Sequence, residues 1–152
     1  QMQISENKIK FVVGTTTLIS KVIDGKFPDY KKVVPLNNDK TLMVSSKDFI
    51  NSIERVASVS LDRKEGVKLS INRDNIQLSV NSANSGEGNE KIKAEFSSEN
   101  LNISFNSKYL IDIANEVEDK NLKMNLKDSV SPVLIEDTAD KNSYYVIMPM
   151  KI

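Results

Sequence analysis

The sequence predicts an α+β fold assembled from a repeated strand, helix, hairpin, strand unit. Three observations carry that expectation. Most apolar residues alternate with period two, as in half-buried strands, whereas two segments place theirs at helical spacing. The order of these segments recurs after about 55 residues, the mark of a duplicated unit.

At the front, Gln3-Ile4-Ser5, residues 9–13 and residues 17–20 read as three short strands. They look like the hairpin and last strand of a unit whose helix is missing. Strands without a covering helix cannot bury their apolar face and are marginal alone. Residues 1–39 are therefore expected to be the closing strands of a domain that begins upstream, followed by a linker over residues 31–39. Pro35 cannot donate to a sheet and Asn37-Asn38-Asp39 favours turns.

The complete domain is expected over residues 40–152. Its first copy opens with the strand Thr41-Leu42-Met43-Val44. A helix over residues 47–60 follows, because Phe49, Ile50, Ile53, Val56 and Ala57 form one stripe. Val67, Leu69, Ile71 and then Ile76, Leu78, Val80 flank the polar turn Asn72-Arg73-Asp74-Asn75, a hairpin pattern. Asn84-Ser85-Gly86-Glu87-Gly88-Asn89 reads as a solvated loop before the strand Ile92-Lys93-Ala94-Glu95-Phe96. The second copy begins at Leu101-Asn102-Ile103-Ser104-Phe105. Its helix covers residues 107–117, with Leu110, Ile113, Ala114 and Val117 inward and Asn106 or Ser107 as N-cap. Leu122, Met124, Leu126 and then Val133, Ile135 flank Lys127-Asp128-Ser129, and the strand Tyr144-Tyr145-Val146-Ile147-Met148 closes the copy.

Composition removes most chemistry. The chain has no Cys and no His, so disulfides, thiolate nucleophiles, Ser-His-Asp relays and the usual zinc sites are excluded. Positive and negative charges balance at 21 each, against a generic polybasic nucleic-acid binder. Any attraction to DNA must be local: residues 1–35 carry a net +3 and the remainder a net −3. No apolar run approaches the roughly 18 residues of a membrane span, and Gln1-Met2-Gln3-Ile4 lacks the pattern of a secretory leader. A cytoplasmic protein with no membrane partner is expected.

Three blocks remain: Lys21-Val22-Ile23-Asp24-Gly25-Lys26-Phe27-Pro28-Asp29-Tyr30, then Asp128-Ser129-Val130 with Ile135-Glu136-Asp137, and Tyr145-Val146-Ile147-Met148-Pro149-Met150-Lys151-Ile152. With them the chain resembles the bacterial sliding clamp family, the beta subunit of DNA polymerase III. The resemblance runs from the end of the family's second domain through all of its third. It implies the DNA clamp fold, with a β-α-β-β-β repeat present twice in the complete domain. It also implies a ring of two head-to-tail chains, each of three similar domains, whose inner helices surround duplex DNA. Such a ring is a processivity factor: it slides without sequence preference and tethers the polymerase III catalytic subunit, the clamp loader and other proteins bearing a short clamp-binding motif. It catalyses nothing itself and needs no cofactor.

The same resemblance assigns residues. An apolar pocket for the Leu and Phe of the partner motif is implied at Pro28, Lys32, Val33, Asn106, Tyr109, Val130, Val146, Met148, Pro149, Met150 and Lys151. Lys32 and Lys151 stand where the family usually has Arg, which keeps the charge but loses the rigid fork. The other pocket wall would come from the family's second domain, upstream of Gln1, so a weaker, one-sided site is expected. Lys47, Arg55 and Lys108 are candidates to face DNA. Ser58 and Val59, with Glu87 and Glu90, match the ring interface. The residues themselves allow plainer readings: Met148 and Met150 as core of the last strand, the three basic residues as a solvated helix face, and Glu87 and Glu90 as loop. Two rivals to a clamp are a stand-alone peptide-binding module and a hydrolase using Glu136, Asp137 and Asp140, which more simply form a solvated hairpin.

Overall fold

The computed structural model describes residues 1–26, 28–60, 66–82 and 85–151, and the chain divides into two units, residues 1–30 and 31–152. Of the sequence features above, Phe27, Asn84 and Ile152 lie outside the described residues. The first unit is a three-stranded antiparallel sheet of β1 (Met2–Ile4), β2 (Lys8–Val13) and β3 (Thr16–Lys21). Gly14 makes the β2–β3 turn with φ of 57°, a backbone region that costs glycine least. The apolar residues of these strands are mostly exposed, among them Val13, Leu18 and Ile19.

The second unit runs β4 (Lys40–Ser45), α1 (Ser46–Ala57), β5 (Gly66–Ile71), β6 (Asn75–Ser82), β7 (Gly86–Phe96), β8 (Leu101–Asn106), α2 (Ser107–Glu116), β9 (Asn121–Leu126), β10 (Val133–Glu136) and β11 (Tyr144–Ile147). The fold is α+β, and strand, helix, hairpin, strand occurs twice. Its eight strands form one antiparallel array in the order β11-β10-β9-β4-β7-β6-β5-β8. The two copies interlock: β4 pairs with β9 of the second copy, and β8 pairs with β5 of the first. The copies thus share one sheet, each opening strand pairing with a strand of the other copy.

Alternation places the core. Val67, Leu69, Ile71, Ile76, Leu78 and Val80 point inward from β5 and β6, and Leu122, Met124, Leu126, Val133 and Ile135 from β9 and β10. The helices cover this layer with Phe49, Ile53 and Val56 of α1 and Leu110 and Ala114 of α2. Both helices are started by side-chain caps: Ser45 Oγ accepts from the N–H of Asp48, and Asn106 Oδ1 from that of Tyr109. Of the two N-cap candidates on α2, Asn106 holds the position, while Ser107 is buried as the first helical residue.

One segment departs from the sequence reading. Residues 86–89 are strand, not loop: β7 starts at Gly86 and pairs with β6, Glu87 facing Asn81 and Glu90 facing Leu78. Gly88 explains why this polar stretch is ordered. A Cβ there would lie 2.7 Å from the carbonyl oxygen of Val56, so the end of α1 rests directly on the strand backbone. Lacking apolar alternation, such a strand carries no period-two signal.

Candidate partner-binding surface

β11 is the last strand of the array, held on one side by β10 with Val133 opposite Ile147 and Leu134 opposite Val146. Its alternation sends Ile147 into the core at 4% exposure. The opposite parity faces outward: Tyr144 and Met148 are exposed and Val146 is half-buried. Met148 is 57% exposed, so it is not a core residue of the last strand. Met150, half-buried, is fixed by its backbone, whose N–H donates to the carbonyl of Ser104 on β8 at 2.7 Å. Pro149 between them offers no N–H to any ladder.

Several of the other sequence-derived residues are at the surface. Tyr109, in the first turn of α2, is 59% exposed, and Asn106, which caps that helix, is half-buried. Val130 is equally exposed, in the β9–β10 connection. Lys151 is exposed; Lys32 and Val33, at and just after a short 3₁₀ turn (Tyr30–Lys32), are exposed in the second unit. Pro28 is exposed in the first unit.

Lys47 and Lys108 are exposed on their helices. Arg55, exposed near the end of α1, and Glu90 of β7 bind each other: Arg55 Nε donates to Glu90 Oε2 at 2.9 Å and its Nη2 to Oε1 at 2.5 Å. Ser52 Oγ also donates to Glu90, at 2.9 Å. The Arg55 guanidinium, and secondarily the Ser52 hydroxyl, hold the Glu90 carboxyl below the usual range. Ser58 caps the end of α1, its Oγ donating to the carbonyl of Arg55 at 2.7 Å, with Val59 half-buried beside it. Glu87 is exposed on β7 and accepts from Asn89.

The acidic cluster of the hydrolase reading lies in the hairpin that joins β10 and β11, where only Asp137 departs from a solvated position. Glu136 pairs with Lys123 at 2.7 Å and accepts from Asn125. Asp137 is 3% exposed and accepts from the N–H groups of Glu118 and Ala139, each at 2.9 Å. Those backbone donors, Glu118 first, keep its carboxyl ionised below the ordinary range. Asp140 accepts from Ser143 Oγ and the Asn142 N–H. Among the described residues, no group of three or more acidic side chains is placed to hold a metal ion, and no helix is long and apolar enough to cross a membrane.

The second unit is thus a doubled β-α-β-β-β domain closed by a tail that leaves Met148 exposed. Residues 31–151 match the family described as DNA polymerase III beta subunit, C-terminal domain, and the chain belongs to that family. It is 34% identical over 151 residues to the beta sliding clamp of Caulobacter vibrioides, covering 99% of this chain and 41% of the relative. It is 35% identical over 152 residues to the beta sliding clamp of Escherichia coli K12, covering 100% of this chain and 42% of that protein. A crystal structure of a sliding clamp (DNA polymerase III subunit beta) from Bartonella birtlesii, bound to griselimycin, superposes with a TM-score of 0.86 at 40% identity, covering 99% of this chain and 41% of that one. The chain thus spans about two fifths of the length of the relatives it matches.

Proposed function

We propose that the chain serves as part of a sliding clamp, the processivity factor of a bacterial replicative polymerase, and that its own contribution is the partner-binding surface at the C-terminal tail. In that role it catalyses nothing and works in the cytoplasm. As a homodimeric ring in a full-length protein it encircles duplex DNA and tethers the polymerase III catalytic subunit, the clamp loader and other motif-bearing proteins. The observation that carries the reading is the exposure of the apolar side chains of Met148, Tyr109 and Val130 in a chain of this family. Met is a soft, adaptable side chain, suited to a surface that receives several partners.

Charge supports the topological part. Phosphate attraction that is weak and without base contacts gives no deep minimum at any one base pair, which suits a ring that slides. Exposed Lys47 and Lys108 stand on helices that also expose Asp48, Glu54, Asp112 and Glu116, so this helical face is not strongly basic.

The test is a titration of the 152-residue chain with a labelled Gln-Leu-x-Leu-Phe peptide. Burying one Leu or Phe contributes roughly 1.5–3 kcal/mol, so truncating a wall of its pocket is expected to be visible. Met148→Ala is expected to weaken binding about tenfold, equivalent to about 1.4 kcal/mol. An unchanged affinity would remove the tail from the site.

A further inference from the structure

We infer that Asp128 is a positioning residue for the partner-binding surface, holding the Val130 side chain out for contact through a turn built on its carboxylate. The inference rests on the reading of that surface given above and adds to it the device that shapes one wall.

The geometry is local and complete. Asp128 Oδ1 accepts from the backbone N–H of Val130 at 2.9 Å and of Ser131 at 2.7 Å, and Oδ2 accepts from the Ser131 hydroxyl at 2.9 Å. A single carboxylate thus fixes the backbone on both sides of the Val130 carbonyl. From the other side, Asn38 Nδ2 donates to the carbonyl of Pro132 at 2.9 Å and to that of Asn125 at 2.8 Å. The connection between β9 and β10 is therefore tied at its entry, its turn and its exit.

Val130 needs such a device. It is 59% exposed, and an apolar side chain in water has no interaction of its own that keeps it outward. Without the turn, nothing in the connection would hold Val130 in this outward position. Ordering the loop before a partner arrives removes an entropic cost from the binding step, so the carboxylate acts on affinity without touching the ligand.

A double-mutant cycle tests this, read by peptide titration of the 152-residue chain with urea unfolding in parallel. Asp128→Ala is expected to weaken binding about fivefold. Asp128→Asn keeps an oxygen for the two N–H groups and is expected to restore most of the affinity. In a Val130→Ala background, Asp128→Ala is expected to cost less than about twofold, because its effect passes through Val130. An equal loss in both backgrounds, or no rescue by Asn, overturns the inference. Should the Ala variant not fold, Ser131→Ala, which removes only the hydroxyl donor, is read instead: faster amide exchange at Val130 with weaker binding supports the inference, and faster exchange with unchanged affinity overturns it. If Val130→Ala and Met148→Ala both bind like the parent, the surface reading itself falls and the inference with it. If both weaken binding while Asp128→Ala does not, only the inference falls.

Discussion

The backbone N–H of Met150 donates to the carbonyl of Ser104 at 2.7 Å, linking the segment beyond β11 to β8, the strand at the opposite end of the array. The duplication gives this bond its meaning. In the first copy the last strand, β7, pairs with the opening strand, β4, through Leu42–Phe96, Met43–Glu95 and Val44–Ala94. The corresponding partners in the second copy are β11 and β8, and the Met150 bond is what joins them. Pro149 cannot extend a ladder there, so the tail leaves the sheet with Met148 uncovered. The apolar tail is left bare where the repeat fails to complete itself.

If that bond anchors the tail, the Met150 amide will exchange with solvent at least about a hundredfold more slowly than an unstructured reference. Exchange at the free-chain rate, measured by NMR, would refute the anchor.

Core and surface apolar residues are expected to separate cleanly. Phe49 is fully buried, and Phe49→Ala should cost about 3–5 kcal/mol in urea unfolding. Met148→Ala should cost less than about 0.5 kcal/mol while affecting peptide affinity. A comparable loss of stability at both positions would place Met148 in the core after all.

Gly88→Ala is expected to destabilise by about 1–3 kcal/mol, because the added carbon meets the Val56 carbonyl and must displace α1 or β7. Urea unfolding that matches the parent within error would show that the helix end yields freely.

Acid should weaken the fold through its fixed carboxylates. Glu90, held low by Arg55, and Asp137, held low by the Glu118 N–H, have folded pKa values below their ordinary 4.5 and 3.8. Their contribution is full above those ordinary values and is lost as pH falls through the depressed ones. The urea midpoint is expected to drop between pH 5 and pH 3, and less steeply in Asp137→Asn; a parallel pH profile for that variant would count against the argument.

Because Glu90 neutralises Arg55, the two exposed lysines should carry what DNA attraction α1 and α2 supply. At low ionic strength, Lys47→Ala and Lys108→Ala should each reduce the salt dependence of duplex binding by about one ion, whereas Glu90→Gln should increase affinity by releasing Arg55. Weaker binding by Glu90→Gln would show that the pair itself faces the DNA.

Much of the fold was legible because its signals are local. The stripe of Phe49, Ile53 and Val56 and the alternation at Val67, Leu69 and Ile71 mark helix and strand by period alone, and the recurrence of their order revealed the doubled unit. The site residues came from matched motif blocks, since nothing in the period of Tyr144 to Met148 says which parity faces water. Residues 86–89 were misread because their order comes from α1 lying on Gly88, a contact made by backbone and so without a side-chain signature. Asp137 looked like a solvated acid for a related reason: its donors are peptide N–H groups, which every sequence supplies at every position.

The sequence by itself determined the elements, the repeat, and the absence of thiol and imidazole chemistry, because each depends on which side chains are present and how they are spaced. Only the tertiary structure decided that Arg55 and Glu90 neutralise each other and that Met148 lies bare. Both outcomes depend on which residues distant in the chain meet when helix and strands pack within each copy, α1 on β7 in one and the tail on β8 in the other, and local spacing carries no record of that.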